Sequence, residues 1–374
     1  MTAAAPLRYP FADPPAEGAA VEVAPGILWM RLPLPMALNH VNVYALDDGE
    51  AGWTLVDTGL SSGRARPFWQ GRPGRPLGGP PGRLVDTALS SGRARTLWQV
   101  LLDGPLAGRP VHRVIVTHHH PDHIGNAGWF QARGAVLVAT RTAWLYARML
   151  TLDVQDRPTP EAVAFWRAAG MDAGLLARRL GERPFNFADV VAPLPLGLTR
   201  FADGDRLQAA GHDWTVRTGG GHAPEHATLW SDDGLVIGGD QFLPGISPNI
   251  GVYPTEPAAD PLADWLASCA AFADHARDDH LVLPGHRLPF LGLPGRLAQM
   301  QAGHAAAPDR LRAHLMAAPA SAVDCFAPLY GRSIGDGEYG LALAEAVAHL
   351  YHLAAAGAVR ADPGLDGALL WRPA

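Results

Sequence analysis

Lysine is missing from this 374-residue chain: all 30 of its basic side chains are arginine. Schiff-base catalysis and a lysine-bearing phosphate loop are therefore excluded. Cysteine is nearly as scarce, with Cys269 and Cys325 far apart and in no paired spacing. That pattern argues against a disulfide framework, a zinc finger and a thioredoxin-type site. Cys269, inside the apolar run 262–272, reads as a small core residue. A net positive field is also lacking, since the formal charge is −6, so nothing global gathers nucleic acid. No apolar run approaches the roughly 18 residues that would span a bilayer. The opening MTAAAPLRYPFADPP has no basic region followed by an apolar stretch, so it does not resemble a signal peptide. The expectation is a soluble, cytoplasmic protein.

What is present suits a globular chain: 48% hydrophobic and 18% charged residues argue against wholesale disorder. The length exceeds the roughly 250–300 residues at which a single core stops growing, so a large domain with a smaller one is expected. Short β-type runs occupy 27–32, 40–46 and 53–56, the last two joined by the hairpin signal DDGEAG. RVIVT (113–117) and 135–139 have the pattern of buried strands. Helical periodicity takes over at 142–185, and strands resume at 205–208, 213–217, 227–230 and 235–237. Asp260 and Pro261, as N-cap and first helical residue, predict a helix to about position 276, and 281–283 reads as a last strand. This order predicts an α/β sandwich. Residues 287–297 read as a linker, followed by helices at 297–316, 322–329 and 339–355 and a terminal hairpin, the order of a winged-helix module. From Leu291 onward six arginines face seven acidic side chains. That is poor equipment for DNA, so packing or dimerisation is the expected role.

One segment occurs twice: LVDTGLSSGRARPFWQ (55–70) returns as LVDTALSSGRARTLWQ (84–99), 29 positions later. Both copies cannot fill one strand position. The first follows the hairpin directly and keeps Gly59, so it is expected to supply the strand and Asp57. The second is expected to supply the next helix, leaving much of 61–85 as a surface insertion; use of Asp86 instead stays open.

Chemistry concentrates in THHHPDHIGNAG (117–128), directly after a buried strand. Side chains two apart on an extended segment share a side, so His118 and His120 converge while His119 points elsewhere. Pro121 turns the chain, and Asp122 and His123 then face back from a helix start. Imidazole and carboxylate together suit Zn²⁺, Fe²⁺ or Mn²⁺.

HxHxDH after a strand resembles the metallo-β-lactamase-fold hydrolase superfamily, and further motifs match in order. His222 in TGGGHAPEH resembles the third ligand at a first metal shared with His118 and His120. Asp240 in LVIGGDQF resembles the carboxylate that bridges two metals. His286 in LVLPGH resembles the last ligand, joining Asp122 and His123 at the second metal. Asp57 in LVDTG resembles the early buried aspartate that orients ligands from behind, and His226 is read in the same supporting role. The resemblance covers about 21–290. It implies an αββα sandwich over 1–290, with a helical lid at about 142–200, and a small winged-helix-like α+β domain over 291–374. It also implies two divalent metal ions, zinc foremost, and a metal-bridging hydroxide as nucleophile. Asp122 and Asp240 are the catalytic carboxylates on this reading, Asp122 or a water passing a proton to the leaving group.

The superfamily acts on thioesters, lactones, β-lactams and phosphodiesters, so the fold leaves the substrate open. The β-lactamase branch lacks the bridging aspartate; the glyoxalase II branch shares the full dinuclear ligand set, but its C-terminal helices carry a basic pattern not found here. The expected function is hydrolysis of a small acyl thioester or ester, with Trp144, Phe165, Ile246 and Tyr253 as apolar wall residues. The alternative is a phosphodiesterase or nuclease of the same fold, with lactonase and β-lactamase behind it. A flavodiiron-type role would need a flavin domain that the tail is too short to hold. A small-molecule substrate is expected, with no nucleic acid and no membrane partner; a homodimer is left open.

Overall fold

A computed structural model describes residues 6–36, 38–61 and 90–374. Strands β1 (Val21–Ala24), β2 (Ile27–Pro33), β3 (His40–Asp47) and β4 (Trp53–Val56) form an antiparallel meander. A crossover ending in helix α1 (Ser90–Asp103) leads to β5 (Val111–Ile115), parallel to β4. Two short helices, α2 (Pro121–Ile124) and α3 (Ala127–Gln131), precede β6 (Val136–Ala139), which lies parallel to β5. Helices α4 (Arg141–Leu152), α5 (Pro160–Ala168) and α6 (Ala173–Gly181) follow, then β7 (Thr199–Arg200) closes a seven-stranded sheet ordered β1 to β7.

The second sheet contains β8 (Arg206–Ala209), β9 (His212–Gly219), β10 (His226–Ser231), β11 (Leu235–Gly239) and, after α7 (Pro261–Ala273), β12 (Leu281–Pro284). Its order is β12-β11-β10-β9-β8, antiparallel except for the β11–β12 pair. The remainder is α8 (Leu293–Ala317), α9 (Phe326–Tyr330), α10 (Tyr339–Ala355) and an antiparallel hairpin, β13 (Val359–Pro363) with β14 (Leu369–Pro373).

The layers follow from alternation along the strands. On β3, Tyr44 and Leu46 face the other sheet, meeting Trp214, Val216 and Leu229. Val41, Val43 and Ala45 face outward onto Trp98 and Leu101 of α1 and Phe130 of α3. The outer side of the second sheet, with Trp230, Val236 and Val282, is covered by Trp265, Cys269 and Phe272 of α7 and by Leu293, Leu297 and Met300 of α8. Helix, sheet, sheet and helix layers thus make the expected αββα sandwich. Asp260 caps α7 as expected, its carboxylate accepting from Ala263 N at 3.0 Å ahead of Pro261.

Two short edge strands, β1 and β7, went unanticipated because each is too brief to show a period. The segment read as a linker is not an exposed connector. Phe290 pairs with Val282, and Leu293 and Leu297 are fully buried. The 25-residue α8 then runs unbroken from the sandwich, at Leu297, into the tail, at Leu311 and Leu315. Helices α5 and α6 also differ from a simple lid. Phe165, Trp166, Leu175 and Leu176 pack into the tail's core with Leu350 and Trp371, and Val323 N donates to Ala169 O at 3.1 Å.

Candidate metal centre

Strands β4, β5, β11 and β12 all end at one edge of the sandwich, and antiparallel pairing brings the turn from β9 to β10 to the same edge. Ligand sites in α/β sheets form outside such carboxyl ends. Asp57, the segment 117–123, His222, Asp240 and His286 all lie there. Cross-links tie the edge together: Ala227 N to Thr117 O at 2.8 Å, Gly285 N to Gly239 O at 2.8 Å and Asn42 N to Gly285 O at 2.7 Å.

His120 is extended and caps α2, with Pro121 in the first turn, so Asp122 and His123 swing back beneath the strand end. The result is a trio of ring nitrogens: His118 Nε2 to His120 Nδ1 is 2.9 Å, and His120 Nδ1 to His222 Nε2 is 3.0 Å. Tetrahedral zinc with Zn–N of roughly 2.0–2.1 Å would have ligand edges of about 3.3 Å, close to these spacings. Beside it, Asp122 Oδ2 lies 3.4 Å from His286 Nε2 and 3.7 Å from His123 Nε2. Asp240 joins the two groups. Its Oδ2 is 3.5 Å from His222 Nε2 and 3.4 Å from His286 Nε2, and its Oδ1 is 3.4 Å from His123 Nε2. His123 Nε2 and Asp240 Oδ1 are buried without a hydrogen-bond partner. Such orphaned donor atoms aimed at one point are what a cation would satisfy.

The far nitrogens of four of these rings are tied back, so that the near ones face the site. His123 Nδ1 is 2.7 Å from Asp57 Oδ2, His222 Nδ1 donates to Asn249 O at 2.8 Å, and His286 Nδ1 donates to His40 O at 2.8 Å. His118 Nδ1 lies 3.0 Å from Thr117 Oγ1. Asp57 also accepts from Thr117 N at 2.9 Å, so it braces the strand end as well as the ring. His226 stands behind the site, stacked on His118, with Nε2 accepting from Asp240 N at 3.1 Å. The ligand-bearing turns use left-handed backbone at Asp57 (φ 62), Glu225 (φ 49), Gly239 (φ 48) and Arg287 (φ 70). Strain of this kind persists where the surroundings over-determine it. At Gly285 a side chain would fall onto Asp240 Oδ1 and the His123 ring.

Electrostatics separate the two groups. Burial, then neighbouring imidazoles, holds His118 and His120 well below the ordinary value, so both are neutral and able to coordinate. Burial pushes His226 down to about 3. For Asp240, burial favours the neutral acid, yet His286 and His123 outweigh it and keep the carboxyl well below its usual range. Reciprocally, burial opposes charge on His286, but Asp240 and Asp122 lift it to about 10. His123 is raised for the same reason. The acidic half of the centre thus calls for positive charge.

His119 is buried with its ring 4.6 Å from that of His120, stacks on Phe187 and lies 5.3 Å from the Tyr146 ring of α4. His112 pairs with Asp48 at 2.6 Å, His212 with Asp233 at 2.7 Å and His352 with Asp260 at 3.0 Å, and none of the three histidines belongs to a group that could hold a metal ion among the described residues. Of the expected wall residues, Trp144 packs onto the sandwich core and Phe165 into the tail's core. Asp86 and most of the inserted segment lie outside the described residues; Asp57 of the first copy holds the strand end, and α1 comes from the second copy.

Several supporting residues were missed. Asn42 Nδ2 donates to Pro284 O and Arg287 O at 2.9 and 2.8 Å, and Tyr44 Oη donates to Pro284 O at 2.8 Å, fixing the His286 turn. Asn126 Nδ2 holds the turn after Asp57 through Thr58, Gly59 and Leu60 carbonyls. A buried asparagine within HVNVY was a readable signal. The carbonyls of His40 and Asn249 were not, because any residue has one.

A sandwich with a histidine and aspartate cluster at its strand ends defines a metallo-hydrolase class. The family model of the metallo-beta-lactamase superfamily matches residues 83–286, and that of the metallo-beta-lactamase-like C-terminal domain matches 309–374. The chain belongs to the metallo-beta-lactamase superfamily. A beta-lactamase domain protein from Burkholderia ambifaria is 34% identical, with a TM-score of 0.83 over 98% of each chain. A metallo-beta-lactamase family protein from Thermus thermophilus is 26% identical, with a TM-score of 0.71 over 94% of this chain and 100% of that one. The sec-alkylsulfatase Pisa1 from Pseudomonas sp. shares the fold at 15% identity and a TM-score of 0.54, over 89% of this chain and 49% of its own. No curated protein matches. The superfamily match begins at the second copy of the duplicated segment, although Asp57 of the first copy is the one bonded to His123. Among the described residues no helix is long and apolar enough to cross a membrane.

Proposed function

We propose that the chain is a dinuclear metal-dependent hydrolase of a small acyl substrate, a thioester or ester. One observation carries the dinuclear part: the Asp240 carboxylate reaches nitrogens of both groups, His222 on one side and His123 and His286 on the other, at 3.4 to 3.5 Å. On this reading His118, His120 and His222 hold one ion, Asp122, His123 and His286 hold the other, and Asp240 serves both. The mixed nitrogen and oxygen donor set, with no thiolate, suits zinc and also admits iron or manganese. Bound ions of this type supply acidified water, with a pKa near about 7, and polarise a substrate oxygen.

The protein's own residues then have separable tasks. Asp57 holds the His123 ring so that Nε2 faces the site, and His226 fixes the backbone of Asp240. Asp122, at 19% side-chain exposure against 9% for Asp240, is the carboxylate with access to pass a proton to a leaving group. Tyr146 and Phe187, whose rings lie 5.3 and 6.3 Å from that of His119, are read as an aromatic wall of the approach, which favours an acyl group over a phosphate backbone. We assign 1–290 to the hydrolase domain and 291–374 to a winged-helix-like module whose first helix, α8, also covers the second sheet of the sandwich, in a cytoplasmic protein.

Metal analysis with a panel of thioester, ester, lactone, β-lactam and bis-aryl phosphate substrates tests this reading. Two ions per chain and fastest turnover of the thioester or ester are expected. Dominant phosphodiester cleavage that falls steeply with salt would replace it with the nuclease reading, and absence of bound metal would end it.

A further inference from the structure

The tail is built into the site. Within the loop 242–256, Val252 is buried in the tail's core and its N–H donates to Ala344 O of α10 at 3.1 Å. Three residues earlier, Asn249 Nδ2 donates to Leu341 O at 3.1 Å and to Glu345 Oε2 at 3.3 Å, both on α10. Tyr253 Oη donates to Asn249 Oδ1 at 3.0 Å, and Tyr330 Oη of α9 donates to Glu345 Oε2 at 3.3 Å. The asparagine held by these contacts offers its own carbonyl to His222 Nδ1 at 2.8 Å. That bond keeps the proton on Nδ1 and leaves Nε2 bare, 3.0 Å from His120 Nδ1.

We infer that Asn249 and Glu345 are positioning residues for His222, so that the C-terminal module sets the tautomer and aim of one ligand of the metal centre. The inference rests on the metal reading above and deepens it. The chain of contacts runs α10, Glu345, Asn249 side chain, Asn249 carbonyl, His222. Nothing in it touches substrate. A partner outside the coordination sphere typically alters metal affinity about 10–100-fold. Because Asn249 acts here through a backbone carbonyl that its side chain steadies, the lower end is expected.

The test uses the full-length protein loaded with zinc and titrated against a chromophoric chelator, with visible spectra of the cobalt(II) form. Asn249→Ala and Glu345→Ala are expected to weaken one of two cations about tenfold and to change the cobalt spectrum. The melting temperature of the metal-free protein should move little for Asn249→Ala, which sits on a half-buried loop. Glu345→Gln keeps an acceptor for both partners and should restore affinity and spectrum. His120→Ala should lose the same cation. If the wild type binds no cation, or His120→Ala keeps the full complement, the metal reading itself fails. If those controls behave as expected while Asn249→Ala and Glu345→Ala retain wild-type affinity and spectrum, this inference alone is overturned. Equal loss at both cations, unrescued by Glu345→Gln, would reduce the tail to a support of the fold and also overturn it.

Discussion

Replacing Asp57 by asparagine changes almost no volume and reverses one hydrogen bond. The carboxylate accepts from Thr117 N at 2.9 Å, from Thr117 Oγ1 at 2.9 Å and lies 2.7 Å from His123 Nδ1, all buried. An amide has one acceptor and one donor end, so it cannot meet all of these. If its NH₂ faces His123, the ring must give up the Nδ1 proton and carry one on Nε2, the atom aimed at Asp122 and Asp240. If it faces Thr117 instead, two N–H groups oppose each other. Hydrogen bonds to a charged group contribute about 1.5–3 kcal/mol each, and a stranded buried donor costs a further 1–3 kcal/mol or so. Asp57→Asn should therefore destabilise the metal-free protein by about 2–3 kcal/mol and Asp57→Ala by about 3–5 kcal/mol, the latter a large part of a typical 5–15 kcal/mol. Loss of affinity for the cation at His123 should be about 10–100-fold in Asp57→Asn. Calorimetric melting of the metal-free protein and chelator competition measure the two effects separately. Wild-type affinity for both cations in Asp57→Asn would refute the tautomer argument.

The duplicate segment gives a matched control: Asp86→Ala should shift stability by no more than about 0.5 kcal/mol, and a larger loss than in Asp57→Ala, by melting, would show that the wrong copy was assigned. Glu345 supplies a pH signature. Burial, only partly offset by Tyr330 and Asn249, lifts its carboxyl to about 7 from 4.5. The folded state then holds a proton that the unfolded chain releases, so stability is retained below pH 4.5 and lost as pH rises through about 7, by at most about 3 kcal/mol. Melting of the metal-free Glu345→Gln protein between pH 5 and 8 should lack this decline, and a slope equal to the wild type's would sink the assignment. Asp260→Ala removes the cap on Ala263 N and the contact with His352 at 3.0 Å. It should lower stability by about 1–2 kcal/mol, and an unchanged melting temperature would show that water replaces both contacts.

The linear pattern of residues determined a good deal alone. Short β-type runs at 40–46 and 53–56, joined by the turn signal DDGEAG, specified two strands because such runs bounded by turn residues favour a hairpin, and Asp260-Pro261 specified a helix start because both residues suit it chemically. The HHHPDH segment placed Asp122 and His123 within reach of His118 because a proline turn follows an extended run at once. Those interactions are local, and local geometry is written in neighbouring residues. Tertiary structure alone decided the rest. It brought His222, Asp240 and His286 to that turn by ordering two sheets so that their strand ends share an edge. It chose Asp57 to brace His123, and it ran α8 through an expected linker because Phe290, Leu293 and Leu297 found apolar partners on α7. It also gave Asn249 and His40 their roles through backbone carbonyls, groups every residue has and no sequence can single out. Distant contacts depend on which surfaces meet, and that is fixed only when the whole core packs.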